Sequence, residues 1–390
     1  MSEYQHYEFR AVAKPLTSAQ QTKVRTYSSR ATISSTSFVN VYNWGDFRGS
    51  VEQFMTDFFD AHLYWADWGT HIFSVRLPHG ALDRDTAEQY LGDGSALEIS
   101  EVHTGLLVTF RSDPEDWDKP ELGRDWMDDL IAIYHDLMRG DLKSLYIAWL
   151  AGMSYDYDED ALDALPEPPQ PSNLGTLSPA LLSLAEFLRL DDDWLTAATR
   201  GSVKSTSVDP MEGLEGWLAQ LPEPEKTQAL LKVLRGEAAD VISDTLSRYR
   251  TTDTFRQARD TLMRGQNTGR TLGDIRTAAQ KTRRERQERQ AQAEARRRAK
   301  REEQERRARE HHLTSLEGKE QTLWSSVAGF IQQRNRPSYT QAVETLRDLR
   351  DVYTRKGEPG AFQMKLAALR HEHSRKKVFI HMLRAAKLST

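Results

Sequence analysis

Along the first 150 residues the apolar positions change period several times, and each change predicts an element. Tyr7-Glu8-Phe9-Arg10-Ala11-Val12 alternates like a half-buried strand. Thr17-Ser18-Ala19-Gln20 reads as a capping box opening a short helix that runs toward Ser28. Thr32 to Trp44 is rich in β-branched and aromatic residues, includes Phe38-Val39-Asn40-Val41-Tyr42, and stops at Gly45-Asp46. Ser50-Val51-Glu52-Gln53 is a second capping box, and Phe54, Phe58, Phe59, His62 and Trp65 continue its helix at helical spacing. Thr70 to Leu77 predicts a strand stopped by Pro78, and Leu97 to Phe110 a hairpin turning near Thr104-Gly105. A βαβαβ order with a final hairpin points to a small mixed sheet carrying helices on one face, an α+β domain.

From Arg124 the period becomes 3.6. Trp126, Leu130, Ile133, Tyr134 and Leu137, then Leu142, Leu145, Tyr146 and Trp149, mark one or two amphipathic helices. Tyr155 to Ser172 is acidic and then proline-rich, through Pro166-Glu167-Pro168-Pro169-Gln170-Pro171, and reads as a linker by composition. Ser178-Pro179 is a good N-cap and first-turn pair opening a helical block toward Arg264, with breaks near Gly201, Pro210 and Pro222-Glu223-Pro224. Gly265-Gln266-Asn267-Thr268-Gly269 is a loop, and a long polar helix starts near Leu272. Leu313, Leu316, Leu323, Trp324, Val327, Phe330 and Ile331 restore an apolar face; Pro337 ends that helix and Ser338 to Gln341 cap the next. Phe362, Leu366 and Leu369, then Val378, Phe379, Met382 and Leu383, complete a small helical bundle. The expected organisation is an α+β domain over 1–152, a linker over 153–175, a helical domain over 176–265, a long charged helix over 271–316 and a basic helical bundle over 317–390. A chain of 390 residues exceeds one ordinary core, which agrees with that division.

Residues 281–310 hold thirteen Lys/Arg, seven Asp/Glu, five Ala, four Gln and one Thr, with no Gly, Pro or large apolar side chain. Nearly all of them favour a helix, and none gives it a face to bury. Thirteen bases against seven acids give this segment +6; fourteen against seven give residues 311–390 +7; residues 1–280, with 26 against 44, carry −18. The whole-chain figure of −5 conceals that division. The segment has three readings. As a straight spacer of about 45 Å it holds the bundle away from the acidic body. As a phosphate-binding rod it uses Arg283, Arg284, Arg296, Arg297 and Arg298, although seven interspersed acids dilute its field. As a coiled coil it fails, because no Leu, Ile or Val fills the seam, so no dimer through 281–310 is expected.

The absence of Cys excludes disulfides, thiolate metal sites, cysteine nucleophiles and iron–sulfur clusters, and suits a reducing cytoplasm. The N-terminal residues lack a secretory pattern. The longest apolar runs, such as Ile147 to Ala151, fall far short of the ~20 residues of a membrane span. The expectation is a cytoplasmic protein without a membrane partner. His371-Glu372-His373, just before a basic cluster of Arg375, Lys376 and Lys377, lacks a third metal ligand and reads as surface histidines. Asp156, Asp158 and Asp160 with Glu167 mimic a calcium loop, but Ala161 stands where the turn requires Gly and prolines block the exit helix. His62, His71, His103 and His135 coexist with many carboxylates, among them Asp57, Asp60, Asp67, Asp113, Asp116, Asp128 and Asp129, with no spacing that selects a set. Six of the nine Trp lie in residues 1–150; Trp44-Gly45-Asp46 and Trp65-x-x-Trp68-Gly69 either line a recognition groove or, the favoured reading, fill a core. There is no Walker loop, dinucleotide fingerprint or nucleophile elbow, and no cofactor or metal is expected.

Tyr4-Gln5-His6-Tyr7-Glu8-Phe9-Arg10-Ala11, Lys14-Pro15-Leu16-Thr17 and Ser37-Phe38-Val39-Asn40-Val41-Tyr42-Asn43-Trp44-Gly45-Asp46-Phe47 resemble the N-terminal signature of an uncharacterised bacterial protein family. That resemblance covers residues 1–150 and implies no activity. Tyr339 to Leu383, with Ala342, Leu346, Leu349, Phe362, Leu366, Leu369-Arg370, His373 and Arg375-Lys376, is similar to the C-terminal helical tail of bacterial SWIM zinc finger proteins, without the zinc-binding residues. It implies a shared partner surface in a nucleic-acid-associated system.

The sequence therefore points to a non-enzymatic interaction or adaptor protein that docks electrostatically through Arg283, Arg284, Arg296, Arg297, Arg298, Arg375, Lys376 and Lys377. The partner is nucleic acid or an acidic protein in a larger assembly. The alternatives are an enzyme with a His/carboxylate site in the N-terminal domain and a purely structural subunit.

Overall fold

The computed structural model describes residues 4–388 except 93, 95, 114–124, 155–161, 201–209 and 264–265. The chain divides into two units, Met1–Glu285 and Arg286–Thr390.

The fold class is α+β. Unit 1 is built on seven strands: β1 Gln5–Arg10, β2 Thr32–Ile33, β3 Ser37–Tyr42, β4 Ala61–Ala66, β5 His71–Pro78, β6 Leu97–Val102 and β7 Gly105–Ser112, in the order β2-β3-β1-β4-β5-β7-β6. Every pairing is antiparallel, where the element order had suggested a mixed sheet. The difference lies in β4, which enters beside β1 and makes each neighbour antiparallel. All six of its residues are buried, so it shows no apolar–polar alternation, and its His62 and Trp65 had been counted into the preceding helix. That helix, α2 (Val51–Phe58), ends where Phe59 turns extended. The β6–β7 hairpin needs its glycine: Gly105 has φ +144°, and a Cβ there would lie 1.9 Å from the Leu77 carbonyl oxygen.

Both faces of the sheet are covered, not one. On the first, Phe9, Phe38 and Tyr64 pack with Val24 of α1 (Ser18–Arg25) and with Phe54, Met55 and Phe58 of α2. Helix α1 carries the expected capping box, Thr17 with Gln20. On the second face, Leu63, Trp65, Phe73, Val75 and Phe110 meet α4 (Trp126–Leu130), α5 (Ala132–Met138), α6 (Lys143–Met153), α7 (Pro179–Phe187) and α8 (Asp192–Thr199). A short α3 (Arg84–Glu88) precedes β6, and α7 has Ser178 as N-cap and Pro179 in its first turn.

His62 sits in the first core against Phe9, with ring centroids 4.5 Å apart, and neither ring nitrogen has a hydrogen-bond partner among the described residues. Burial pushes its pKa down to about 3. The folded state thus resists a proton that the unfolded chain accepts at about 6.5, so this group removes stability as pH falls from about 6.5 toward 3. His62→Phe is expected to raise stability by roughly 1–3 kcal/mol and to flatten that acid limb. Urea unfolding across the pH range measures it, and a destabilised variant would contradict it.

The proline-rich segment is folded rather than a free connector. Pro166 bridges to Thr271 and Gln170 to Gln266, with the Gln170 and Gln266 amides each donating to the other's carbonyl at 2.8 Å. Prolines leave few amides, but those of Glu167 and Gln170 suffice for a strap, and Glu167 is buried beneath it. The acidic residues 155–161, including the calcium-like Asp156, Asp158 and Asp160, lie outside the described residues. Helices α9 (Leu214–Gln220), α10 (Glu223–Leu234), α11 (Ala238–Arg250) and α12 (Asp253–Met263) follow, and then α13 (Leu272–Leu316).

In unit 2, α14 (Glu320–Gln332), α15 (Arg336–Arg355), α16 (Pro359–Glu372) and α17 (Lys377–Ala385) close on Val327, Ile331, Leu346, Leu349, Phe362, Leu366, Phe379 and Leu383. Asn335 caps α15 and places Pro337 in its first turn, so that proline starts a helix instead of ending one. Among the described residues no helix is long and apolar enough to cross a membrane.

Candidate functional site

Helix α13 is 45 residues long, and its ends explain its register. At the start, Thr271 and Asp274 cap it reciprocally, Asp274 Oδ2 accepting from the Thr271 amide at 2.9 Å, while Leu272, Ile275 and Ala279 are buried in unit 1. Near the other end, within unit 2, Leu313 is buried, Arg309 meets Asp351 at 2.6 Å and Asp348 as well, and His312 meets Asp348 at 2.9 Å. Between these anchors residues 286–302 are all exposed.

An unbroken helix fixes where each charge points. At about 100° per residue, Arg286, Arg289, Arg296, Arg297, Lys300 and Arg307 fall within an arc of about 100°. None of the seven acids of 281–310 falls inside that arc; Glu285, Glu288, Glu294, Glu302, Glu303, Glu305 and Glu310 all occupy the rest of the circumference. The acids are interspersed in sequence but segregated in space. From Arg286 to Arg307 the cationic stripe is about 31 Å long.

The other side of the helix neutralises itself. Arg298 pairs with Glu302 and Arg301 with Glu305, both at 2.9 Å, and Arg306 with Glu303 at 2.6 Å. Glu303 also accepts from Arg307 at 2.6 Å, and the two guanidiniums hold its carboxyl below the usual range. In contrast, Arg296, Arg297 and Lys300 hold no ion pair among the described residues.

The eight cations singled out by sequence have different surroundings. Arg283 belongs to unit 1, where it is occupied by Asp191 at 2.6 Å and Asp193 at 3.5 Å. Arg284 is exposed and Arg298 is paired, and both lie on the acidic side of α13. Arg296 and Arg297 lie on the stripe. On the bundle, Arg375 and Lys377 are exposed, whereas Lys376 donates from Nζ to the Ile331 carbonyl at 2.9 Å, closing the C-terminal end of α14. No hydrogen bond or ion pair among the described residues joins this trio to residues 286–310. Arg286, Arg289, Lys300 and Arg307 were missed; projecting residues 281–310 on a helical wheel would have found them.

The histidines and acids of unit 1 do not converge. His62 is enclosed by aromatic rings, and His71 hydrogen-bonds from Nδ1 to the Phe187 carbonyl at 3.1 Å and stacks on the Phe187 ring in the other core. His103 and His135 are exposed. Asp60 accepts from the Val12 and Ala13 amides and from Arg76, and Asp113 from Thr70 and Arg111; Asp116 lies outside the described residues. Among the described residues no three metal-ligating side chains cluster. A groove of about 1010 Å³ in unit 1 runs between Lys14 and helices α9–α11 and is lined by no histidine among the described residues; its Glu225 is paired with Arg248 at 2.9 Å. Of the tryptophans, Trp65, Trp126 and Trp149 are core residues, while Trp44 is 75% exposed and Trp68 44% exposed at the sheet end where Tyr42 and Ala66 both pair with Gln5.

No family model matches the chain, and no curated protein or solved structure is similar to it.

Proposed function

We propose that the protein is a non-enzymatic nucleic-acid-binding protein whose contact surface is the cationic stripe Arg286, Arg289, Arg296, Arg297, Lys300 and Arg307. The observation that supports this is the absence of any acid from that arc of an exposed helix. A row of exposed guanidiniums and ammoniums on an acid-free arc follows a phosphate backbone, displacing its counterions, and needs no base contact to do so. Arg375 and Lys377, both exposed, serve as a secondary contact for phosphate on the bundle, while Lys376 is held by the Ile331 carbonyl. Arg283 and Arg298, occupied by carboxylates, contribute little. This reading places the protein in the cytoplasm, in keeping with a chain that has no Cys.

Salt dependence tests the proposal. With five phosphate contacts, one for each stripe cation except Arg307, which Glu303 engages, binding to a fluorescent DNA duplex should follow log[salt] with a slope of about −4.5, a loss of roughly 500-fold between 50 and 200 mM. A slope near zero, or no anisotropy change at 50 mM salt, would refute it.

A further inference from the structure

Two tryptophans that the core does not use stand in matching turns at one end of the sheet. Trp44-Gly45 follows β3 and Trp68-Gly69 follows β4, the two strands that flank β1. In each turn the glycine has positive φ, +80° at Gly45 and +101° at Gly69, and its carbonyl is held by a distant side chain. Gln5 Nε2 donates to the Gly45 oxygen at 2.9 Å and Arg189 Nη2 to the Gly69 oxygen at 2.8 Å. The Trp44 turn is pinned again through Asp46, which accepts from the Tyr7 hydroxyl at 2.5 Å and the Phe47 amide at 2.7 Å. Trp68 donates from Nε1 to Thr70 at 3.0 Å, and Thr70 to Asp113 at 2.6 Å, which fixes the indole. The fold thus holds two large rings toward solvent, where each forgoes the stabilisation that burying its area would bring.

We propose that Trp44 and Trp68 are the two platforms of a binding site for a basic, extended peptide segment of a partner protein, each indole face taking one guanidinium or ammonium group. Charge selects that occupant. The Tyr64 hydroxyl donates to Gln5 Oε1 at 3.2 Å, at the start of β1 between the two turns. Burial, followed by the fields of Asp46, Asp113 and Asp67 against that of Arg111, raises its pKa. Three carboxylates therefore converge on the ground between the rings. Asp113 is paired with Arg111 at 2.9 Å, while Asp46 and Asp67 hold no ion pair among the described residues. Even with the exposed Arg48, four residues past Trp44, carboxylates outnumber guanidiniums here. Such a field repels phosphate and draws a cation toward indole faces, the best aromatic platforms for one. Spacing selects the form of the segment. Strands two apart in a sheet are separated by about 10 Å. A polyproline II segment rises about 3.1 Å per residue with three residues per turn, so cations at i and i+3 share one side, roughly 9 Å apart.

None of these residues belongs to the cationic stripe, so this inference and the nucleic-acid reading fail separately. The probe is a labelled peptide with Arg-Pro-Pro-Arg at its centre, titrated with the nucleic-acid-free full chain and followed by anisotropy. Half-saturation is expected on the order of 100 µM. Replacing both arginines by citrulline, which keeps their shape and removes their charge, should weaken binding about 10-fold or more. Placing the two arginines side by side should weaken it about 5-fold, since one ring is then out of reach. Trp44→Leu and Trp68→Leu should each lower affinity about 5-fold, and Trp44→Phe less than Trp44→Leu, because the ring face makes the contact. Trp44 makes no hydrogen bond among the described residues, so Trp44→Leu should melt as the wild type does and carries the test even if Trp68→Leu loosens its turn. Asp67→Asn should weaken binding about 3-fold. No anisotropy change at 0.5 mM protein overturns the proposal, and so do arginine and citrulline peptides that bind alike. Wild-type affinity in the Trp44→Leu, Trp68→Leu double variant overturns it too, because net negative charge alone would then attract the peptide. So does tighter binding of cellohexaose, a neutral glycan that stacks on indoles, than of the peptide.

Discussion

Arg270→Ala will destabilise unit 1 by about 3–5 kcal/mol, enough to lower its melting temperature by roughly 10 °C. The Glu167 side chain is completely buried under the proline-rich strap. Arg270 reaches it with two nitrogens, at 2.6 and 2.8 Å, and Thr268 and Tyr146 donate their hydroxyls to the same carboxylate. Arg270 also donates to the Ala198 carbonyl at 3.0 Å. Without the guanidinium, a full negative charge stays in the protein interior with only two hydroxyls to solvate it. The pH dependence gives the mechanism away. Burial alone would raise the Glu167 carboxyl, but its hydrogen bonds to Arg270, Thr268 and Tyr146 hold it below the ordinary value of 4.5. That stability is present above the unfolded pKa and is lost as pH falls through the folded one. In Arg270→Ala the carboxyl is left with burial as its main influence and gains from protonation. The gap between wild type and variant should therefore be widest above about pH 5 and shrink toward pH 3. Glu167→Met with Arg270→Met should recover much of the loss, since two buried charges leave together. Thermal unfolding followed by circular dichroism decides it, and a gap constant with pH would exclude a charge-based origin.

The second large effect concerns binding. Replacing Arg296, Arg297 and Lys300 together by Glu should cut duplex affinity by roughly 10²- to 10³-fold at 0.1 M salt and reduce the log–log slope by about three. Each neutralised phosphate contributes close to one logarithmic unit at that concentration, and three contacts are removed. The fold should not change. All three side chains are exposed and without ion pairs among the described residues, and Glu is as good a helix former as the residues it replaces.

Local signals were the most legible part of the fold. Thr17 with Gln20, Ser178 with Pro179 and the turn before Gly105 each carry their physics within four residues, and each lies where its pattern placed it. Elements whose character depends on distant partners were not legible. Strand β4 is buried on both faces, so its residues lose the alternation that marks an edge or half-buried strand. The segment around Glu167 has a linker's composition and becomes a strap only because Arg270, a hundred residues away, supplies its counter-charge. The stripe on α13 is a third kind of case. Its residues were visible, but reading them along the sequence mixes bases with acids, whereas reading them around the helix separates the two. The exposed leucines of α10 had looked like any other helical block, because periodicity shows a face without saying whether anything covers it.

On the proposed reading, position around the helix, not total charge, makes the binding surface. Two triple variants test it with the same change in net charge: Arg296→Glu, Arg297→Glu and Lys300→Glu on the stripe, against Arg284→Glu, Arg298→Glu and Arg306→Glu on the acidic side. Duplex affinity measured by anisotropy at 0.1 M salt should fall roughly 10²-fold or more for the first and only a few-fold for the second. Equal losses in the two variants would contradict the account, because the protein would then be responding to charge alone.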